Sequence, residues 1–292
     1  MRSFRHCAHR PAGALLFAFF LCGCHTPIVD ENRVRAVALP APLRFLLTFD
    51  DGPSSAPGFN PTVSILEQLA DNSFQPQLKA VFFVQTRAPE AGGDTIGRRL
   101  MERIHREGHV LGLHTGTPQG HIRHTRLTPA ELDQSLRDGS EDIRAVSGRL
   151  ARFLRPPNWD YNPETLACYR KHDILMVLDD VKARDGKTWG FKWNPRRYQH
   201  IRAERGQMLL RLADHRTPVV AGAIPVIITL HDTNSATAAS LNDYLRALIE
   251  GAAALGAEVA TPAFFNDRAQ IEQVLERRYR PPPDAFGARE TC

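Results

Sequence analysis

Two adjacent carboxylates, Asp50 and Asp51, follow the first apolar segment of the chain, and Gly52-Pro53 comes directly after them. Neighbouring side chains on an extended backbone point to opposite sides, so one carboxylate could bind a metal while the other faces a substrate. Gly-Pro ends the strand and begins a turn, which predicts that both acids lie at the rim of a sheet. Taken alone, the motif also fits a solvated turn, so other polar positions must agree with it.

Polar residues also end several other predicted strands. They are His114-Thr115, Arg155-Pro156-Pro157, Leu230-His231-Asp232 and the acids Asp179, Asp180 and Asp185. Catalytic groups of (β/α) barrels gather at the carboxyl ends of the strands. Scattered surface residues would not favour one end of successive strands, so these positions predict a shared site.

The elements that would position these residues alternate regularly. Apolar strands and segments of helical period follow one another from residue 43, which is typical of a mostly parallel α/β fold. Helix starts are predicted at Asn60-Pro61, Asp94, Thr128 with Glu131, and Asn162-Pro163. Seven strands are predicted, with starts at Leu43, Lys79, His109, Ala151, Asp173, Pro225 and Ala257. These units predict a distorted (β/α) barrel with about seven parallel strands.

The remaining segments are placed around this barrel. A helix from about 235 to 256 would be capped by Asp232 or Thr233, and residues 186–215 would form an insertion. The catalytic domain is expected to span 43–280, after a linker at 24–42 and before a loose tail at 281–292.

The first 23 residues are typical of an export signal. Three arginines precede the apolar run at 14–21, which is far shorter than the roughly 20 residues of a membrane-spanning helix. Leu21-Cys22-Gly23-Cys24 resembles a bacterial lipobox, which implies a lipid anchor on Cys24; ordinary signal cleavage and a plain hydrophobic leader are the alternatives. His25 after it favours the outer membrane, with the domain facing the periplasm.

Composition limits the class of protein. The 292 residues are 42% hydrophobic and 24% charged, as in an ordinary globular domain. Loss of residues 1–23 removes three arginines and lowers the net charge from +5 to +2, and no basic stripe indicates nucleic acid. With Cys24 acylated, Cys168 and Cys292 would remain to pair, and no disulfide framework is evident.

At the level of motifs, residues 43–262 resemble the polysaccharide deacetylase family, also called carbohydrate esterase family 4 or the NodB homology domain. Thr48-Phe49-Asp50-Asp51-Gly52-Pro53 matches the first family motif without a change. The resemblance implies that Asp50 is the catalytic base and Asp51 a metal ligand.

The second family motif, His-Ser/Thr-x-x-His, supplies the other two metal ligands. His114-Thr115 begins it, but Pro118 stands where the second histidine belongs. Residues 121–128 are similar to the family sequence His-Pro-Asp-Leu-Thr-x-Leu-Ser, so His121 is the expected ligand across a longer spacer, with His124 as the alternative. One carboxylate and two imidazoles suit Zn2+, with Co2+, Ni2+ or Mn2+ possible, and such an ion activates water and polarises a carbonyl.

The later motifs would complete the reaction machinery. Arg155-Pro156-Pro157 is similar to the third motif, whose arginine pairs with the catalytic aspartate, although Asn158-Trp159 replaces the usual Tyr-Gly. The backbone N–H at Asn158 survives this change as an oxyanion donor. The expected substrate contacts are Pro157, Asn158, Trp159 and Leu230, and Trp159, Tyr161 and Trp189 are candidate sugar-stacking residues.

Leu230-His231 is similar to the fifth motif, which implies that His231 is the general acid. Asp185 is the expected partner of His231, and Asp180 is the alternative. The resemblance implies removal of N-acetyl groups from an amino sugar of a cell-envelope polysaccharide. The alternatives are O-acetyl removal and a lipid-anchored protein that binds glycans without turnover. No protein partner is implied.

Overall fold

The computed structural model describes residues 39–185, residues 217–278 and Cys292. The expected signal peptide, Cys24, most of the linker and the whole expected insertion, with Trp189, lie outside these residues. Within the described residues, no helix is both long enough and apolar enough to span a bilayer.

The sheet contains only parallel strand pairs in the described part of the chain. Its strands are β1 (Leu43–Asp50), β2 (Val81–Gln85), β3 (Val110–Thr115), β4 (Phe153–Leu154), β5 (Leu175–Met176), β6 (Val181–Lys182), β7 (Ile224–His231) and β8 (Val259–Phe264). The order is β5-β4-β3-β2-β1-β7-β6, and β8 pairs with β1. The α/β fold is therefore confirmed, and β6 is the strand that the sequence did not indicate.

The sheet curls back on itself. β5 and β6 lie at opposite ends of the strand order, yet only residues 177–180 separate them along the chain. An extended chain covers at most about 3.5 Å per residue, so this short connection brings the two edges close together. The result is the distorted, nearly closed barrel that the sequence predicted.

Six helices accompany the strands in the described residues. They are α1 (Pro61–Ala70), α2 (Thr95–Arg106), α3 (Pro129–Ser147), α4 (Pro163–Lys171), α5 (Ser235–Ala254) and α6 (Arg268–Arg278). The side chains of Asn60, Asp94, Thr128 and Asn162 cap α1 to α4, as predicted. Two single turns, η1 (His124–Arg126) and η2 (Pro157–Trp159), lie near the polar strand ends.

The expected cap of α5 was wrong. Asn234 accepts a hydrogen bond from the Ala236 N–H and is the N-cap. Asp232 is instead buried, and Thr62 Oγ1 donates to its carboxylate across 2.8 Å.

Alternation along β1 divides the core in two. Phe45, Leu47 and Phe49 pack in the cluster that includes the helices, whereas Leu46 belongs to a second cluster with Phe83. The unpredicted helix α6 adds Ile271, Val274 and Leu275 to that second cluster. Because side chains alternate along a strand, Thr48 and Asp50 share the face of Leu46, toward the barrel interior.

Cys168 on α4 forms a disulfide with Cys292, with 5.2 Å between the Cα atoms. Lys171 Nζ donates to the Cys292 carbonyl oxygen across 2.7 Å. Cys292, the last residue of the expected loose tail, is therefore attached to the barrel. Residues 279–291 lie outside the described part of the chain.

Candidate metal centre and active site

Asp51 leaves the extended conformation that the sequence argument assumed. Its φ is 73°, a left-handed value that aspartate tolerates better than most side chains. Gln85, the last residue of β2, fixes this turn: its side-chain amide donates to the Asp51 carbonyl at 2.8 Å, and its backbone N–H donates to the Gly52 carbonyl at 2.9 Å. The position of the Asp51 carboxylate is thus set by a turn held to the neighbouring strand.

Gly52 is required by close packing. A Cβ atom at this position would lie 2.0 Å from Oδ2 of Asp232, a distance that no side chain can adopt. The Asp232 carboxylate therefore fills the space beside the turn that carries Asp51.

Asp51, His114 and His121 converge at one point. One ligand atom from each lies within 4.8 Å of the other two. Oδ1 of Asp51 is 3.2 Å from Nε2 of His114 and 2.5 Å from Nδ1 of His121. His114 and His121 follow Asp51 by 63 and 70 positions in the sequence, and the barrel brings the three side chains together.

The surroundings of His114 test whether this group suits a cation. Nδ1 of His114 lies 2.7 Å from the carbonyl oxygen of Arg155, which can only accept, so Nδ1 carries a proton. Among the described residues, the buried Nε2 has no hydrogen-bond partner. This Nε2 instead faces Oδ1 of the Asp51 carboxylate at 3.2 Å, and a cation or a proton between the two atoms would join them. Carboxylate and imidazole donors with this tautomer are those of zinc sites.

The charges in the group are strongly coupled. Burial alone would raise the pKa of Asp51, but the neighbouring His114 and His121 outweigh it and hold the pKa well below its usual range. The hydrogen bond to Asp51 raises the pKa of His121, and a side-chain hydrogen bond with Asn158 acts in the same direction. Asp51 is thus ionised at any working pH and available to a cation.

His124, the alternative ligand, lies apart from this group. It is fully buried, and its Nδ1 is 2.7 Å from the hydroxyl of Tyr169 on α4. The three additional spacer residues, Pro118 to Gly120, line the cavity beside His121.

Asp50 is paired with Arg155 inside the barrel. Nη1 of Arg155 donates to Oδ1 of Asp50 at 2.9 Å, and both side chains are buried. The same guanidinium contacts Thr48 and Thr229 and lies 4.4 Å from the centre of the Phe83 ring. These contacts fix the orientation of the Asp50 carboxylate.

His231 and Asp185 form a second pair. Nδ1 of His231 is 2.7 Å from Oδ1 of Asp185, whose other oxygen accepts from the His231 backbone N–H and from Thr237. Burial lowers the pKa of His231, but the hydrogen bond and charge of Asp185 and the charges of Asp50 and Asp51 raise it to about 10. Nε2 of His231 faces Oδ2 of Asp51 at 3.9 Å, so its proton lies beside the candidate metal centre.

The contact to His231 belongs to Asp185 and not to Asp180. Asp180 accepts from the Ile227 N–H and pairs with Arg278 of α6. Sequence reasoning missed the polar side chains that hold the two pairs and the Asp51 turn in place. They are Thr48, Gln85, Thr229 and Thr237, of which the first three are polar residues within or at the end of apolar strands.

The expected substrate contacts differ in exposure. Asn158 is exposed and Trp159 is half-buried, with Lys182 Nζ 3.7 Å from the centre of the indole ring. The Trp159 N–H already donates to the Pro156 carbonyl, which leaves the Asn158 N–H as the candidate oxyanion donor. Pro157 and Leu230 are buried, and Leu230 packs in the core.

A cavity of about 780 Å³ opens beside Asp51 and His121. Its walls come from four loops, one of which contributes Thr233 after β7. The β1–α1 loop contributes Ser54, Ser55 and Ala56, the β2–α2 loop contributes 88–91, and the spacer contributes 118–120.

Comparison with known proteins finds one family that is similar to part of the chain. The model of the family described as polysaccharide deacetylase matches residues 42–177, which include Asp50, Asp51, His114, His121 and Arg155 but not Asp185 or His231. A chitin deacetylase of Pestalotiopsis sp. is 28% identical over 178 residues, or 58% of this chain and 55% of the relative. A peptidoglycan-N-acetylglucosamine deacetylase of Bacillus cereus is 28% identical over 141 residues, or 48% of this chain and 46% of the relative.

This chain therefore spans about half the length of these two curated relatives. The solved structure of the chitin deacetylase from Colletotrichum lindemuthianum shares the fold, with a TM-score of 0.54 and 20% identity over 85% of this chain and 92% of the other. Residues 42–177 of this chain are therefore similar to the polysaccharide deacetylase family, in agreement with the motifs that they carry.

Proposed function

We propose that the chain is a metal-dependent deacetylase that removes N-acetyl groups from N-acetylglucosamine-type residues of a cell-envelope or exported polysaccharide. Asp51, His114 and His121 would hold one divalent ion, with Zn2+ as the first candidate. The observation that carries the proposal is the unpartnered Nε2 of His114, which faces an ionised carboxylate in a buried place.

The protein side chains divide the remaining work. A bound divalent ion would activate water and polarise the acetyl carbonyl. Asp50, oriented by Arg155, takes the proton of the attacking water. The Asn158 N–H donates to the oxygen on which negative charge develops.

His231 is suited to deliver a proton to the departing amine. Its Nδ1–H is held by Asp185, so Nε2 is the atom that faces the reaction. The raised pKa keeps His231 protonated near neutral pH, as a general acid requires. The presence of both buried pairs supports turnover over a role in glycan binding alone.

The cavity supports a polymeric substrate. Its volume of about 780 Å³ is larger than one amino sugar needs, and it is open along the loops beside Asp51 and His121. Both curated relatives act, by their names, on polymers that contain N-acetylglucosamine. An extended sugar chain would lie in this cavity with one acetamide group at the candidate metal centre.

We further propose that the protein is exported and anchored by lipid at Cys24. The Cys168–Cys292 disulfide supports export, because disulfides persist in oxidising compartments such as the periplasm. Labelled fatty acid should be incorporated into the full chain and not into a Cys24→Ser variant. Equal labelling of both proteins would refute the anchor.

Acetate release from N-acetylglucosamine oligomers tests the proposed activity. Asp50→Asn and His231→Ala proteins should each bind metal as the unmodified protein does, yet release acetate at least 100-fold more slowly, because proton transfer by a placed group contributes about 10²–10⁴-fold. Asp71→Asn, a substitution at an exposed aspartate that ends α1, is the matched control. Release at the unmodified rate by either variant would contradict the assigned roles, and faster release from O-acetylated polymers would favour the esterase.

A further inference from the structure

A buried hydrogen bond outside the reacting groups joins the His121 loop to α4. The partners are His124, which is fully buried, and Tyr169, which is 1% exposed. Nδ1 of His124 lies 2.7 Å from the Tyr169 hydroxyl, and the two rings meet edge to face with 5.7 Å between their centres.

We infer that this hydrogen bond holds His121 at the metal centre, so that His124 and Tyr169 are positioning residues that set metal affinity without touching the metal. The inference rests on the proposed function, because it needs Asp51, His114 and His121 to bind a divalent ion. It assigns a role to the buried histidine that the metal centre itself leaves unused.

His121 needs such support more than the other imidazole does. His114 lies within β3, where the sheet and the Arg155 carbonyl fix it. His121 lies in a loop, and its side chain is 39% exposed. The structure that follows it, η1, is a turn of three residues, which is too short to persist without tertiary contacts.

Two side-chain contacts from η1 supply this support. His124 reaches Tyr169, and Thr125 Oγ1 donates to Asp160 directly after η2. The first contact is the more deeply buried of the two, so loss of the Tyr169 hydroxyl leaves Nδ1 of His124 in the core without this partner. A shift of η1 would relieve that cost, and it would carry His121 along, only three residues away.

Tyr169 is held in place by the structure around it, so it can fix the position of η1. It lies on α4, whose start is held by a capping box between Asn162 and Thr165. The preceding residue, Cys168, is bonded to Cys292. Burial, and secondarily the nearby His114, lowers the pKa of His124 to about 3, so the contact is one between neutral groups at ordinary pH.

Metal binding by four variants of the full domain tests the inference. Co2+ is the probe, with affinity from calorimetric titration and site geometry from its visible absorption, and the unfolding midpoint of the metal-free protein is measured alongside. Tyr169→Phe and His124→Leu should each weaken Co2+ binding at least ten-fold and change its spectrum. Tyr244→Phe, at a buried tyrosine on α5, is the matched control and should keep the affinity and spectrum of the unmodified protein.

The double variant His124→Leu with Tyr169→Phe separates positioning from stability. It removes both polar partners, so no buried group is left unpaired and the unfolding midpoint should recover relative to the single variants. Its Co2+ affinity should nevertheless remain at least ten-fold weaker than that of the unmodified protein. It also serves as the test if a single variant does not fold.

Two results would overturn the inference, and they differ in meaning. Co2+ binding by Tyr169→Phe or the double variant with unmodified affinity and spectrum would refute the positioning role and leave the metal centre intact. Failure of the unmodified protein to bind Co2+ or Zn2+ would refute the metal centre, and this inference with it.

Discussion

The buried guanidinium of Arg155 binds several groups of the site at once. Its guanidinium reaches Asp50, Thr48 and Thr229, and its Nε donates to the Val177 carbonyl. Removing one partner of a buried ion pair leaves an unpaired charge in the interior, which is more costly than losing the whole pair.

Arg155→Met should therefore lower the free energy of unfolding by about 3–5 kcal/mol, as is usual for a broken buried pair. Combining it with Asp50→Asn should recover part of that loss, because the remaining charge is then gone, while acetate release stays abolished. Urea unfolding of the two single variants and the double variant measures the coupling. Additive losses would show that the two side chains do not interact.

Asp185 and Asp180 provide a matched pair of substitutions. Asp185→Asn replaces the acceptor that holds the His231 Nδ1–H, so kcat should fall about 10²–10⁴-fold, the contribution of a general acid. Asp180→Asn should keep kcat and change only stability, since Asp180 contacts Ile227 and Arg278. A larger loss of kcat in the Asp180 variant would reverse the assignment.

Most of the helix starts and strand ends could be predicted from the sequence. Caps at Asn60, Asp94, Thr128 and Asn162 were readable because each supplies a side-chain acceptor directly before a helical period. The strand ends bearing polar residues were readable for a similar reason, because a polar residue after an apolar run is conspicuous.

Other elements could not be read because their cause lies far along the chain. Asp232 follows a strand, as a cap would, but the partner that buries it, Thr62, is 170 positions away. The left-handed turn at Asp51 depends on Gln85, and the disulfide depends on where the barrel places Cys292 against α4. No local period or cap signals any of these contacts.

The loop after β1 can be tested at Gly52. Gly52→Ala would bring a Cβ atom to 2.0 Å from the buried Asp232 carboxylate, so the turn that carries Asp51 must move. We expect a loss of about 1–3 kcal/mol in unfolding free energy, typical of overpacking, together with weaker metal binding. Gly58→Ala in the same loop has nothing within 4 Å of the new atom and should change neither quantity. Thermal unfolding and metal titration measure the two quantities. Unchanged metal affinity in Gly52→Ala would contradict the claim that this turn positions Asp51.

For the whole molecule, the disulfide closes a segment with a sequence separation of 124 between Cys168 and Cys292. Constraining so long a loop in the unfolded chain stabilises the native state, typically by about 2–4 kcal/mol. A Cys168→Ser, Cys292→Ser protein should therefore unfold at a lower temperature, and reductant should lower the midpoint of the unmodified protein alone. Equal midpoints for all samples would contradict a formed disulfide.

Acid should destabilise the fold through two buried neutral histidines. The pKa values of His109 and His124 are lowered to about 3. Burial is the larger cause, and repulsion by nearby positive charges is the smaller one. Nδ1 of His109 also accepts the Ala80 N–H, a contact that protonation would break. These two imidazoles take up protons near pH 6.5 in the unfolded chain and near pH 3 in the folded chain, so the stability that they contribute is full above pH 6.5 and falls as the pH drops through this window. Unfolding midpoints measured from pH 7.5 to pH 4 should decline steadily, and a flat profile would be inconsistent with two buried neutral imidazoles.

The central claim is that one divalent ion at Asp51, His114 and His121 is required for deacetylation. Titration of metal-free protein with Zn2+, with bound zinc and acetate release from N-acetylglucosamine oligomers recorded together, tests it most directly. The account predicts no release without metal and a rate that rises with bound zinc to a plateau at one ion per chain. Release at the plateau rate by the metal-free protein, or a plateau rate reached without zinc uptake, would contradict it.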